Sequence, residues 1–155
     1  MYQFSYFKEK DRQTILDFIH EHPFAFMTGS FLSGQQVATQ LPLLMEVREG
    51  ELYVQDHIMR NTDHHKALVE NPKALVVFTG PHAYVSASWY TNPGIGSTWN
   101  YMSVHLAGDI RFMQDEELVA FMRRLTLQFE KGNTHSLTVY DNLPPAFLNK
   151  MMPAI

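Results

Sequence analysis

The sequence predicts a mainly β protein with helices, arranged as an antiparallel barrel of six strands. Three observations carry this. Extended apolar runs fall in two blocks, residues 24–55 and 73–113, and each block is nearly all strand. Turn residues inside the blocks, Ser33-Gly34, Arg48-Glu49-Gly50 and Gly80-Pro81, break them into neighbouring runs arranged largely as hairpins. One helical pattern is inserted after the third run, whereas a doubly wound parallel fold needs helices between most strands.

Residues 11–22 read as the first helix. Asp11 is its cap, Ile15, Leu16, Phe18 and Ile19 recur at helical spacing, and Pro23 ends it. Residues 24–31 are the first strand and residues 37–47 the second. Pro42 lies inside the second run and has no N–H to give, so that position requires an edge, a bulge or a place where no ladder donor is needed. Residues 51–55 are the third strand. The inserted helix covers residues 62–70, with Thr62 or Asn61 as cap, and stops near Asn71-Pro72. Residues 73–79 and 84–88 are two strands separated by Gly80-Pro81. Residues 99–113 form one long strand, with Gly108 as the candidate bulge. Residues 115–131 are amphipathic, with Leu118, Phe121, Met122, Leu125 and Phe129 on one face, Asp115 as cap and Gly132 as stop. Residues 143–152 form a short helix with prolines in its first turn.

The composition bounds the function. A chain of 155 residues with 45% hydrophobic and 18% charged residues predicts one globular domain, spanning 1–155. A formal charge of −4 argues against a broad nucleic-acid footprint, which needs a basic face. Cysteine is absent, which removes disulfides, thiolate metal sites and cysteine nucleophiles. No apolar run approaches the roughly 20 residues that span a bilayer. Residues Met1 to Ser5 lack the pattern of a signal peptide, so a cytoplasmic location is expected and a membrane is not.

Chemistry concentrates between Gln55 and Lys66. His57, Arg60, His64, His65 and Lys66 crowd the start of the inserted helix. Free amides and the helix dipole favour an anion there, so the stretch reads as a strand–loop–helix phosphate site or as a capped surface helix. A metal fits less well. His64 and His65 are adjacent and face different ways on a helix, and His57 and His64 lie seven apart across a loop. No Gly-x-Ser-x-Gly, Gly-x-Gly-x-x-Gly or Walker loop occurs, which leaves a mononucleotide at the helix start as the best reading. The loop and strand from Ser88 to His105 hold both tryptophans, Trp89 and Trp99, with Tyr90 and Tyr101. Such rings line a ligand site or plug a barrel end.

Several blocks carry a family resemblance: Pro23-Phe24-Ala25, Ala38-Thr39-Gln40-Leu41-Pro42, Leu52 to His57, Phe78-Thr79-Gly80-Pro81, Tyr84-Val85-Ser86-Ala87-Ser88-Trp89-Tyr90 and Thr98-Trp99-Asn100-Tyr101-Met102-Ser103-Val104-His105. The chain resembles the PaiB-like FMN-binding proteins, of the flavin split-barrel superfamily that includes pyridoxamine 5'-phosphate oxidase. The resemblance runs the whole length. It implies a six-stranded antiparallel split barrel and a homodimer with FMN at the subunit interface. The implied cofactor residues are Thr39, Gln40, Leu41 and Pro42, then Asp56, His57, Arg60, Asn61, Thr62, Asp63 and His64. The superfamily's Ser-x-Lys phosphate motif falls on Thr62-Asp63-His64. Asn100, Tyr101 and Ser103 are implied as the partner subunit's contribution. Gln40 stands where many members carry histidine, Asn61-Thr62-Asp63 stands where they carry Ala-Asn-Pro, and members extend past the position of Ile155.

The resemblance allows a flavin-dependent oxidoreductase of unnamed substrate, with no residue assigned to catalysis. Two alternatives accompany it. PaiB-type negative regulation of transcription is one, although the chain has no helix-turn-helix with a basic recognition helix, and Glu116, Glu117 and Glu130 offset Arg123, Arg124 and Lys131. A haem-binding split barrel using His57 or His105 is the other.

Overall fold

The structure is a computed structural model that describes residues 4–92 and 94–155. Pro93 of the aromatic loop and the first three residues lie outside the described residues. The strands are β1 (Phe24–Ser30), β2 (Gln36–Pro42), β3 (Leu44–Arg48), β4 (Glu51–Gln55), β5 (Lys73–Val85) and β6 (Thr98–Asp109). The helices are α1 (Arg12–Glu21), α2 (Asp63–Glu70), α3 (Asp115–Phe129) and α4 (Pro145–Met151).

The protein is mainly β with helices, and its strands pair antiparallel, but they do not close into a barrel. They form a four-stranded sheet in the order β2-β1-β5-β6 and a separate hairpin, β3-β4. The break falls where the sequence predicts one unbroken run over 37–47. Pro42 ends β2 opposite Phe24, and the next amide, Leu43, adds one further rung in the same register by donating to Pro23 O at 2.9 Å. Pro23 has no N–H to return that rung, the pairing stops there, and the chain crosses to the second sheet. The hairpin turn behaves as its residues require: Glu49 and Gly50 both have positive φ, 51° and 85°.

Two further expectations are corrected. Gly80-Pro81 does not separate two strands. β5 runs through it to Val85, and the dipeptide absorbs a register irregularity between Thr79 and His82 against β6. Glycine is required there because a Cβ on Gly80 would lie 2.6 Å from the Phe18 ring. Gly108 is no bulge, since it pairs in register with Ala74, and β6 ends at Asp109.

One core lies between the inner face of the large sheet, α1 and α2. Ala25, Met27, Leu41, Val76 and Phe78 from the sheet pack with Ile19 and Leu68. Period-two alternation leaves Phe24 and Phe26 on the opposite face, 57% and 42% exposed. A second core joins α3 through Leu118, Phe121, Met122 and Leu125 to Leu44 and Tyr140. Arg124 holds α3 to the hairpin by reaching Glu46 Oε2 at 2.9 Å and Gln55 Oε1 at 2.6 Å.

The helix ends follow local chemistry. Asp11 caps α1 by accepting from the Thr14 amide at 2.9 Å. At α3 the cap position is Gln114 rather than the expected Asp115, and the Glu117 carboxylate accepts the Gln114 amide at 2.9 Å. Gly132, at φ 78°, closes the C-terminal end. No helix among the described residues is long and apolar enough to cross a membrane.

Phe78 is fully buried between the sheet and the helices. Phe78→Ala should cost about 3–5 kcal/mol in urea unfolding, the usual loss for a deleted core ring. A loss under about 1 kcal/mol would show that this cluster does not hold the sheet.

Candidate functional site

The loop between β4 and α2 is built by short polar side chains. Asp56 Oδ1 accepts the His57 amide at 2.7 Å and bends the chain as it leaves β4. Asn61 takes the left-handed conformation at φ 64°, which a short amide side chain tolerates. Thr62 caps α2: its Oγ1 accepts from the His65 amide at 3.2 Å and donates to Met59 O at 2.9 Å. Between these points Arg60 is exposed. Its amide donates to Ala154 O at 2.8 Å and its Nε to Ile155 O at 2.7 Å. Its Nη atoms have no partner among the described residues.

Thr39 and His64 face each other in the interior. His64 Nδ1 lies 2.8 Å from Thr39 Oγ1, and the imidazole is 5% exposed. Its Nε2 is buried without a partner among the described residues, above Gly29, where a Cβ would come within 3.5 Å of it. Burial disfavours the imidazolium, so the His64 pKa is pushed below its ordinary value. This pair joins α2 to β2, the open edge of the large sheet.

The remaining implied residues separate into groups. Gln40 lies on the outer face of the sheet in a row with Phe26, Val77 and His105. Pro42 lies opposite Phe24. Asn100, Tyr101 and Ser103 lie on β6, the far edge from β2, so within one chain they do not meet the loop. Asp63 is exposed and lies 3.9 Å from Lys66.

Leu41, Asp56, His57 and Arg60 share the wall of a cavity of about 550 Å³ with His65 and with residues the sequence does not single out for it, Tyr53, Arg111, Phe112 and Ile155 among them. The segment after β6 arrives there because the Ile110 amide donates to Pro72 O at 2.7 Å. That is a contact across 38 positions, and no local pattern signals it. His65, which stacks at an angle on Phe112 with centroids 5.2 Å apart, is the one of these with a sequence signal, its place in the cationic run. The aromatic loop stands clear of this wall. Trp89 and Trp99 are 70% and 58% exposed, and Trp99 packs beside His82 and Tyr84.

A pH dependence follows from His64. Its folded-state pKa lies below the ordinary 6.5. The unfolded chain therefore binds this proton first, and the stability that neutral His64 supplies is full above that value. It falls as pH drops from there through the folded pKa. Urea unfolding at pH 7.5 and pH 5 should show the loss in the parent chain and a smaller one in His64→Gln. Equal losses in both would remove His64 as the cause.

Comparison with known proteins places this geometry. The family model described as "Putative FMN-binding domain" matches residues 1–155. Protease synthase and sporulation protein PAI 2 of Bacillus subtilis is 31% identical over 157 residues, covering 100% of this chain and 73% of that protein. Uncharacterized protein YKL070W of Saccharomyces cerevisiae is 29% identical over 102 residues, 61% of this chain and 60% of that protein. The flavocytochrome Anf3 of Azotobacter vinelandii shares the fold, with a TM-score of 0.66 at 21% identity over 99% of this chain and 64% of its own. With a match over its full length, the chain belongs to the putative FMN-binding domain family, the PaiB-like proteins.

Proposed function

We propose that the protein is a homodimeric FMN-binding split barrel of six strands that supports flavin-dependent oxidoreduction. One observation carries the reading. The Thr39–His64 hydrogen bond sets the capped start of α2 against the open edge strand β2, beside Arg60 with its unclaimed Nη atoms. An edge strand has unpaired backbone groups, which suit the polar rim of a flavin ring. A helix start and a guanidinium suit a phosphate monoester carrying nearly two charges. The residues present therefore fit FMN: Arg60 with the backbone amides of Asn61, Thr62 and Asp63 for the phosphate, and Gln40 and Pro42 beside the ring. When bound, the flavin supplies the electron transfer, and the protein supplies position and polarity.

The outer face of the large sheet supports the dimer. Phe24, Phe26 and Leu75 are exposed there, in line with Ala38, Val77 and Ala107. A two-fold pairing of such faces is self-complementary. It carries the partner subunit's β6 towards this subunit's β2, so that Asn100, Tyr101 and Ser103 of the partner subunit complete the seam.

Direct DNA binding has less support. Arg123 is held by Asp141 at 2.7 Å and Arg124 by Glu46 and Gln55, so the arginines of α3 are already engaged. A negative net charge adds to this.

FMN titrated into the protein should show quenched flavin fluorescence at one FMN per chain. Arg60→Ala should weaken binding by about 1–3 kcal/mol, since it removes a charge-assisted bond. Unchanged affinity takes Arg60 out of the site. Phe26→Asp, at an exposed position, should turn the dimer into a monomer in sedimentation and lose FMN at the same time. A monomer that retains FMN affinity overturns the shared seam.

A further inference from the structure

The cavity behind the loop has an unusual wall. Asp56 lines it, and this side chain is only 3% exposed. Its Oδ1 accepts the His57 amide at 2.7 Å and lies 3.2 Å from His57 Nδ1, without hydrogen-bond geometry to that nitrogen. Its Oδ2 is buried and has no partner among the described residues. Two arginines share the wall, yet neither reaches Asp56. Arg60 Nε donates to Ile155 O, and Arg111 holds Glu117 through both Nη atoms at 2.8 Å. A carboxylate oxygen buried without a donor is costly, and a folded chain rarely keeps one that nothing satisfies. The rest of the wall is largely apolar, with Met27, Leu41, Leu68, Val76 and Leu118. The volume of about 550 Å³ is that of a small-molecule site.

We propose that this cavity is a binding site in its own right, for a compact apolar molecule ending in an N–H donor, an amine or a primary amide, with Asp56 Oδ2 as the acceptor. The apolar walls take the body of the molecule out of water. The head gives Oδ2 its missing bond, and the dry surroundings strengthen it. At Oδ2 a carboxylate head would instead set like charges together, and Arg60 and Arg111, on the same wall, do not reach that oxygen. The proposed flavin contacts Gln40, Pro42, Thr62 and Asp63 are absent from the cavity wall, whereas Leu41, Asp56, His57 and Arg60, which the resemblance also implies for the cofactor, line it.

The test uses the full chain and three probes with one body: 4-phenylbutylamine, 4-phenylbutyramide and 4-phenylbutyrate, compared by calorimetry at neutral pH. The amine and the amide should bind saturably, one per chain, about tenfold or more tighter than the acid. Asp56→Asn keeps an oxygen for the His57 amide and removes the buried charge. It should bring the three probes within about threefold of one another and leave the unliganded Tm unchanged or higher. Methyl NMR locates the probe independently of that variant. Met27 and Met113 line the cavity and should shift with the amine, whereas Met102, exposed on β6, should not. Saturating FMN should leave amine affinity within about threefold, because the sites are separate. The proposal is overturned by absent saturable binding, by an acid that binds as tightly as the amine, by an unaltered preference in Asp56→Asn, by shifts at Met102 instead of Met27, or by mutual displacement with FMN. A failure to bind FMN bears on the flavin reading alone.

Discussion

One hydrogen bond inside the molecule, from Thr39 to His64, decides where the loop after β4 sits. α2 is only eight residues long and carries His64, Ala67 and Leu68 on its buried face. A helix that short gains little from its own backbone bonds, so its position depends on what it packs against. Leu68 gives it apolar contact with the sheet, but apolar contact is not directional. The Thr39 bond is, and it fixes α2 against β2 in rotation as well as in place. The loop from Asp56 to Thr62 is stretched between β4 and this fixed point. Its own short bonds, through Asp56, Asn61 and Thr62, then leave few conformations open. Buried polar pairs of this kind specify an arrangement more than they stabilise it.

The two faces of the large sheet divide the labour. The inner face holds the core, and the outer face leaves aromatic and aliphatic side chains in water. A monomer gains nothing from that outer face, and the isologous partner proposed above would remove it from solvent. The second sheet contributes differently. Because β3-β4 leaves the large sheet at Pro42, space opens between the two, and α3 and the segment after β6 close only part of it. The cavity is therefore a consequence of the broken barrel. Asp56, placed at the exit of β4, is carried to its wall by the same break.

Much of the local structure was legible in the sequence because it depends on contacts a few residues apart. Asp11, Thr62 and Gly132 mark helix ends by their own side-chain or backbone chemistry, and the hairpin at Glu49-Gly50 needs two positive φ values. Errors arose where the deciding contact was distant. Pro42 was legible as a weak point in a strand. That the chain would change sheets there depends on what Leu43 meets across the ladder, Pro23, which has no N–H to return the rung. Gly80-Pro81 has the composition of a turn, yet pairing with β6 on both sides of it keeps β5 continuous. Tertiary pairing outweighs turn propensity when the ladder can resume after one irregular step.

The sequence by itself determined the antiparallel β character, the four helices and the crowding of cationic side chains at the start of α2, because period, caps and turns are set by near neighbours. The family resemblance was likewise legible in its blocks. Only the tertiary structure decided which faces those residues present. It turned Thr39 and His64 inward towards each other, set Gln40 on the outer face, and brought Arg111, Phe112 and Ile155 to one wall with Asp56. Side chains far apart in the chain meet only through the packing of whole elements, and no periodicity in the sequence records that packing.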